Sequence, residues 1–257
     1  MKILALDYDG VLGESSFEVL AVTWNTYLRF FKTELLDKKP FTYDRISYFH
    51  EQKDLNQKFT ALRAYAKSAG ELVVSMHIIE NDILIRNLDD FKAQLEKFKD
   101  KLKDFWTEFY VQRSILQQDM DKWFSIEKSF PKIIEAVNKL KADFTVIILT
   151  NKNTDAVYPS CKHFGLHIEK EDIFDTSLGN DKKKKFEMIH DKYKVDYKDI
   201  LFVDDILENL TTTMPLGIKP FFAVWFNKNK EHHKMAQDLK IPLLTEDNFY
   251  SEITKLR

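Results

Sequence analysis

Hydrophobic positions divide the chain into two textures. Ile3-Leu4-Ala5-Leu6 is an unbroken apolar run, too short to span a membrane, and it reads as a strand buried on both faces of a parallel sheet. From Glu14 to Phe130 the only breakers are Pro40 and Gly70, and a stretch so poor in breakers predicts mostly helix. Within it Phe17, Leu20, Ala21, Trp24, Tyr27, Leu28 and Phe31 recur at helical spacing and predict a first helix. Leu55, Phe59, Leu62, Ala66 and Ala69 predict a second, stopped by Gly70, and Leu72, Val73, Met76, Ile79 and Ile83 a third. Residues 40–52 have no clean period and read as a loop or short irregular piece, rich in aromatics, that either lines a pocket or, the favoured reading, packs helix against helix. Leu88, Phe91, Leu95, Phe98, Leu102, Phe105 and Phe109 alternate spacings of three and four, a heptad seam. Trp106 widens that stripe and it fades at Gln112 and Asp119, which favours packing inside the segment over a dimerising coiled coil.

After Pro131 short apolar runs alternate with helical patterns, the texture of βαβ units. Ile133, Ile134, Val137 and Leu140 give one apolar helix face; Phe144–Leu149 is a β-branched strand. A helix over 155–164, capped by Asn153 or Thr154, carries Pro159 as a kink. Ile173–Thr176, Asp199–Asp205 and Phe221–Phe226 read as further strands, and Ile241–Leu244 as an edge strand or simple packing. Gly179 to Lys185 is a turn and a lysine run entering a helix with Phe186, Ile189 and Tyr193. The expected fold is α/β, a Rossmann-like parallel sheet flanked by helices over residues 1–13 and 126–257, with an all-helical insert over 14–125.

Bulk properties narrow the class of function. The chain has 257 residues, 44% hydrophobic and 31% charged, which is ordinary for a globular protein. A formal net charge of −2 argues against a general nucleic-acid binder. The single cysteine, Cys161, fits a reducing compartment and allows no internal disulfide. No long apolar run predicts a membrane span, and acids directly after the first apolar run argue against a signal peptide, so the cytoplasm is expected.

Three apolar strands end in polar tips: Asp7/Asp9, Thr150/Asn151 and Asp204/Asp205. Ligands of open parallel sheets bind at such carboxyl ends. Asp7 and Asp9 are two apart, so on a continuing strand they share a face, and Gly10 lets the chain turn sharply. Two carboxylates about 4 Å apart repel by roughly 4 kcal/mol at an effective dielectric of about 20. A cation between them, or a protonated carboxyl, relieves this; a solvated Asp-rich turn is the plainer reading. If the tips converge, four carboxylates with a hydroxyl and an amide call for a metal, and all-oxygen ligation suits Mg²⁺ over zinc. A lysine near 182–185 at a helix N-terminus suits a phosphate.

Asp7-Tyr8-Asp9-Gly10-Val11-Leu12, then Leu149-Thr150-Asn151, then a lysine, then Val203-Asp204-Asp205 resembles the four-motif signature of the haloacid dehalogenase superfamily, mostly Mg²⁺-dependent phosphatases. The insert position, directly after the first motif, resembles the helical cap of the phosphoglycolate-phosphatase-like branch. The resemblance implies Asp7 as nucleophile forming an aspartyl-phosphate and Asp9 as general acid and then base. It implies Asp205 and Asp204 as metal ligands together with Asp7 and the backbone carbonyl of Asp9. Thr150, Asn151 and a lysine would bind phosphoryl oxygens; family spacing from Asp205 points to Lys182, with Lys183 close behind and Lys184 and Lys185 on a solvated helix face. Val11 stands where threonine is usual, Ala142-Asp143 stands where a glycine turn is expected, and the last motif continues with Glu208 and Asn209, the latter a candidate ligand or supporting residue.

The implied partner is a small phosphorylated metabolite, with no nucleic acid or membrane, and the implied state is a monomer or homodimer. Arg45, His50, Arg63 and Arg86 are weak candidates for substrate contacts, each read first as a surface or packing residue. A phosphomutase or phosphonatase is the alternative within the superfamily. Outside it stand a phosphoryl-accepting signalling domain and a silent interaction protein. The intact Asp7/Asp9 pair speaks against the silent protein, and chain length against the signalling domain.

Overall fold

A computed structural model describes every residue of the chain except Lys38. The chain forms two compact units, residues 1–14 with 128–257, and residues 15–127. The first holds eight strands among the described residues: β1 (Ile3–Leu6), β2 (Gly13–Glu14), β3 (Lys128–Ser129), β4 (Thr145–Leu149), β5 (Ile173–Phe174), β6 (Ile200–Asp204), β7 (Lys219–Ala223) and β8 (Leu243–Leu244). Six of them make one parallel sheet in the order β5-β4-β1-β6-β7-β8. Helices flank it, which is the doubly covered parallel architecture that the sequence predicts.

β1 is central because both of its faces are apolar. Leu4 and Leu6 enter one core with Ile148, Leu201 and Val203. Ile3 and Ala5 enter the other with Ile147, Phe202 and Phe186. Each large aliphatic side chain so buried contributes about 1.5–3 kcal/mol. The sheet winds outward from β1 in both directions, so its switch point lies there. The register pairs Leu6 with Ile148 and with Val203, which sets the residues after each strand side by side. β2 and β3 pair antiparallel, Gly13 opposite Ser129, so the chain leaves and re-enters this unit through one small ribbon.

The second unit is helical. Its longest helix, Ser16–Phe31, packs Val19, Leu20, Val22, Tyr27 and Leu28 with Phe41, Phe49, Phe59, Phe109 and Trp123. Arg113 donates from Nε and Nη2 to Glu18 Oε1 at 2.9 and 2.7 Å, both residues buried, and its guanidinium lies 4.7 Å from the Phe109 ring centroid. Three expectations are corrected here. Residues 40–52 are largely ordered as a 3₁₀ turn, Tyr43–Arg45, and a helix, Ile46–Glu51, because Phe41 and Phe49 anchor them in the core. Gly70 lies inside the first turn of the helix Ala69–Glu80 and does not end its predecessor; a Cβ there would sit 2.4 Å from Leu102 O. The heptad seam is split into Leu88–Lys97 and Leu102–Leu116 by a 3₁₀ turn, Lys99–Lys101. The split lets Phe91 and Phe105 enter one core with Val73, Val74 and Ile78, so the stripe is used inside the unit.

Candidate active site

The strand register brings the acidic tips together. Asp7 follows β1 and its N–H donates to Val203 O at 2.9 Å, which aligns it with Asp204 at the end of β6. Tyr8 O then accepts the N–H groups of Val11, Leu12 and Gly13, coiling the chain into a tight loop. Gly10 sits in that loop at φ +85°, and a Cβ there would lie 2.3 Å from Asp205 Oδ2. A glycine is therefore needed twice, for the dihedral and for the space. One carboxylate oxygen each of Asp7, Asp204 and Asp205 lies within 4.8 Å of the others, and all three residues are buried. The Asp9 side chain is outside that trio.

Lys182, on the first turn of the helix Lys182–Tyr193, is buried against the acids: its Nζ lies 2.6 Å from Asp204 Oδ2 and 2.9 Å from Asp7 Oδ1. Burial alone would lower this lysine, but Asp204 and Asp7 outweigh it and hold the ammonium above its usual range. Asp7 Oδ1 is buried and faces that ammonium. Burial pushes the Asp7 carboxyl up to about 7, with Asp204 and Asp9 adding to the rise and Lys182 opposing it. Asp204 is held by Ile206 N–H on Oδ1 at 2.7 Å and by Asn209 Nδ2 on both oxygens at 3.2 and 3.0 Å. Asn209 thus orients Asp204, while Glu208 is exposed. The loop carrying Asp205 is tied down by Asn227, which donates to Asp205 O at 2.7 Å.

From β4, Thr150 is buried, donates its N–H to Phe174 O, and accepts Lys152 N–H on its hydroxyl at 3.1 Å. Asn151 lies beside it. Asp175, after β5, accepts from the backbone and hydroxyl of Thr154 and of Ser177. Burial raises its carboxyl, but those four donors prevail and hold it below its ordinary range.

Lys183 and Lys184 are exposed on the helix, so Lys182 is the lysine that meets the acids. Lys185 corrects the expectation of a solvated face: it is wholly buried, with Nζ 2.6 Å from Thr150 O and 3.0 Å from Asn151 Oδ1. Burial pushes it down to about 8, with Lys182 adding to the fall. Its spacing of three from Lys182 was the available signal, since such residues share a helix face. Lys152 is also buried, its Nζ 3.6 Å from Asp9 Oδ1 and 5.2 Å from the Tyr8 ring centroid. In the helical unit Arg45 donates to Pro40 O and lies over Tyr48, His50 stacks on Phe17, Arg63 donates to Ser15 and Ser16, and Arg86 is exposed.

The donor set fits a hard divalent cation. Three buried carboxylates with one lysine between two of them carry excess negative charge, and the buried Asp7 oxygen has a lone pair to give. Gly10→Ala is expected to displace the Asp205 carboxylate and weaken divalent-cation affinity about ten- to hundred-fold, read by calorimetric titration. Unchanged affinity in that variant would remove Asp205 from the ligand set.

The family model of the haloacid dehalogenase-like hydrolases matches residues 1–212. No curated protein matches the chain significantly by sequence. Among solved structures, a predicted phosphoglycolate phosphatase from Haemophilus somnus is similar at 18% identity over 99% of this chain and 98% of that one, with a TM-score of 0.61. A predicted phosphatase from Clostridium acetobutylicum is similar at 13% identity over 99% and 98%, TM-score 0.59. A family hydrolase from Deinococcus radiodurans, solved with phosphate and sodium, is similar at 15% identity over 100% and 96%, TM-score 0.55. At such identities the structural likeness is one of fold, and membership rests on the family match over most of the chain. The chain belongs to the haloacid dehalogenase-like hydrolases.

Proposed function

We propose that the protein is a Mg²⁺-dependent phosphatase that hydrolyses a small phosphomonoester through an aspartyl-phosphate on Asp7. The observation that carries this reading is the Asp7 carboxylate: buried at the tip of the central strand and flanked by Asp204, Asp205 and Lys182. Asp7, Asp204 and Asp205, with the Asp9 carbonyl, would hold the ion. Bound Mg²⁺ supplies charge neutralisation at the phosphoryl oxygens.

The protein's own groups supply the rest. An Asp7 oxygen attacks phosphorus in line, and the ester P–O bond breaks. Asp9 gives its proton to the leaving oxygen. Asp9 then takes a proton from water, whose oxygen attacks phosphorus and breaks the bond to Asp7, releasing inorganic phosphate. Lys182 restrains Asp7 and stabilises negative charge; the Thr150 hydroxyl, with its acceptor side taken by Lys152 N–H, keeps its own hydrogen for a phosphoryl oxygen. The helical unit is assigned substrate selection, the role of a cap.

The test is phosphate release from sugar phosphates, nucleotides and short phospho-acids, with Mg²⁺ and with chelator. Release that requires the ion is expected for at least one class. Release unaffected by chelator, or none from any class, would sink the reading. Among the described residues no helix is long and apolar enough to cross a membrane.

A further inference from the structure

We infer that Lys185 is a positioning residue for phosphoryl binding, fixing Thr150 and Asn151 so that both present hydrogen-bond donors to the phosphoryl group. This rests on the phosphatase reading and adds a second lysine to it.

Lys185 is fully buried, yet its hydrogen-bond partners are neutral: Thr150 O at 2.6 Å and Asn151 Oδ1 at 3.0 Å. Among the described residues no carboxylate stands within ion-pair distance of it, whereas Lys182, one turn away, meets two. A buried ammonium with neutral acceptors alone is unfavourable, and a leucine or methionine would fill the same core without that penalty. The penalty falls when an anion arrives beside it. Lys185 Nζ reaches the two residues at the β4 tip that the proposed chemistry assigns to the phosphoryl oxygens.

The donor count says what the contact does. An ammonium donates only, so it fixes which end of the Asn151 amide faces it. With Oδ1 on Lys185, the Nδ2 hydrogens are turned away from the lysine. Losing the lysine removes that constraint, and a reversed amide would offer an oxygen to an anion, which is repulsive. The same ammonium grips the Thr150 carbonyl while Phe174 O holds the Thr150 N–H, so the backbone at this residue is clamped from two sides. Lys152 N–H occupies the acceptor side of the Thr150 hydroxyl, which directs its hydrogen elsewhere.

Lys185→Met removes the donors and keeps the volume, and Lys185→Gln keeps one short donor. Each is compared with the wild type for inhibition by inorganic phosphate and for KM and kcat at saturating Mg²⁺, for Mg²⁺ affinity by titration from the metal-free protein, and for thermal unfolding. Lys185→Met is expected to weaken inorganic phosphate and raise KM about ten- to hundred-fold, with Mg²⁺ affinity within about twofold of wild type; Lys185→Gln should fall between. A folded Lys185→Met with unchanged phosphate affinity overturns the proposal and assigns the lysine to packing. If that variant does not fold, Lys185→Gln decides by the same criterion, and failure of both to fold also assigns the residue to the core. A wild type that neither releases nor binds phosphate defeats the functional reading itself, an outcome visible before any variant is made.

Discussion

Asp7→Asn is expected to lower Mg²⁺-dependent phosphate release by at least about 10³-fold, a barrier increase of about 4 kcal/mol. The amide keeps the shape of the carboxylate but cannot attack phosphorus or accept a phosphoryl group. Stability should move the other way. Asp7 is displaced from 3.8 to about 7 chiefly by burial, so the fold prefers its protonated form. With the folded-state value above the unfolded one, this group's favourable contribution is complete below about pH 4. It is lost as pH rises through about 7. In chelator, wild-type stability should therefore decline across that window, and Asp7→Asn should be flat there and more stable at neutral pH by a few kcal/mol at most. Chemical denaturation at pH 4.5 and 7.5, two arbitrary points roughly spanning the window, reads this directly. An active Asp7→Asn enzyme, or a variant less stable than wild type at neutral pH without metal, contradicts the nucleophile assignment or the burial argument respectively.

The same residue shows what was legible in the chain and what was not. The apolar run Ile3–Leu6 followed by acids specifies a central strand with a polar tip, because such a run has no stable place except between two covering layers. Asp204 and Thr150 are legible by the same logic, and parallel register then forces the tips together. Lysines were not legible in this way. Family spacing singles out Lys182, but Lys184 and Lys185 read as solvated; a helix turns about 100° per residue, so Lys182 and Lys185 face inward while Lys183 and Lys184 face out. Which face is inward depends on where the sheet lies, and periodicity in polar residues alone does not encode that. Gly70 was misread for a related reason. Its role is close approach to Leu102 O, a contact between segments distant in sequence, and only tertiary packing reveals it. The heptad spacing was real as a pattern, yet the Lys99–Lys101 turn splits it.

Lys182→Met should have the largest effect on stability, and the effect should depend on metal. The lysine lies between Asp204, which is fully buried, and Asp7, and its removal leaves two buried carboxyls without their cation. Breaking such a buried pair costs about 3–5 kcal/mol. For a chain of this size that corresponds to a fall in Tm of about 6–20 °C in chelator. On the proposed function, saturating Mg²⁺ would bind only the folded cluster, so mass action should restore part of the loss, and the Mg²⁺-induced rise in Tm should exceed that of wild type. Activity should remain at least about 10²-fold down with metal bound, because the ion replaces the charge but not the ammonium's placement beside Asp7. Adding Asp7→Asn to Lys182→Met should recover stability in chelator, since the double variant replaces one of the two buried carboxyls left without a cation by a neutral amide. If calorimetry in chelator and in Mg²⁺ gives the same Tm for Lys182→Met, the three aspartates do not share an ion. The metal-dependent chemistry would then have no place in this fold.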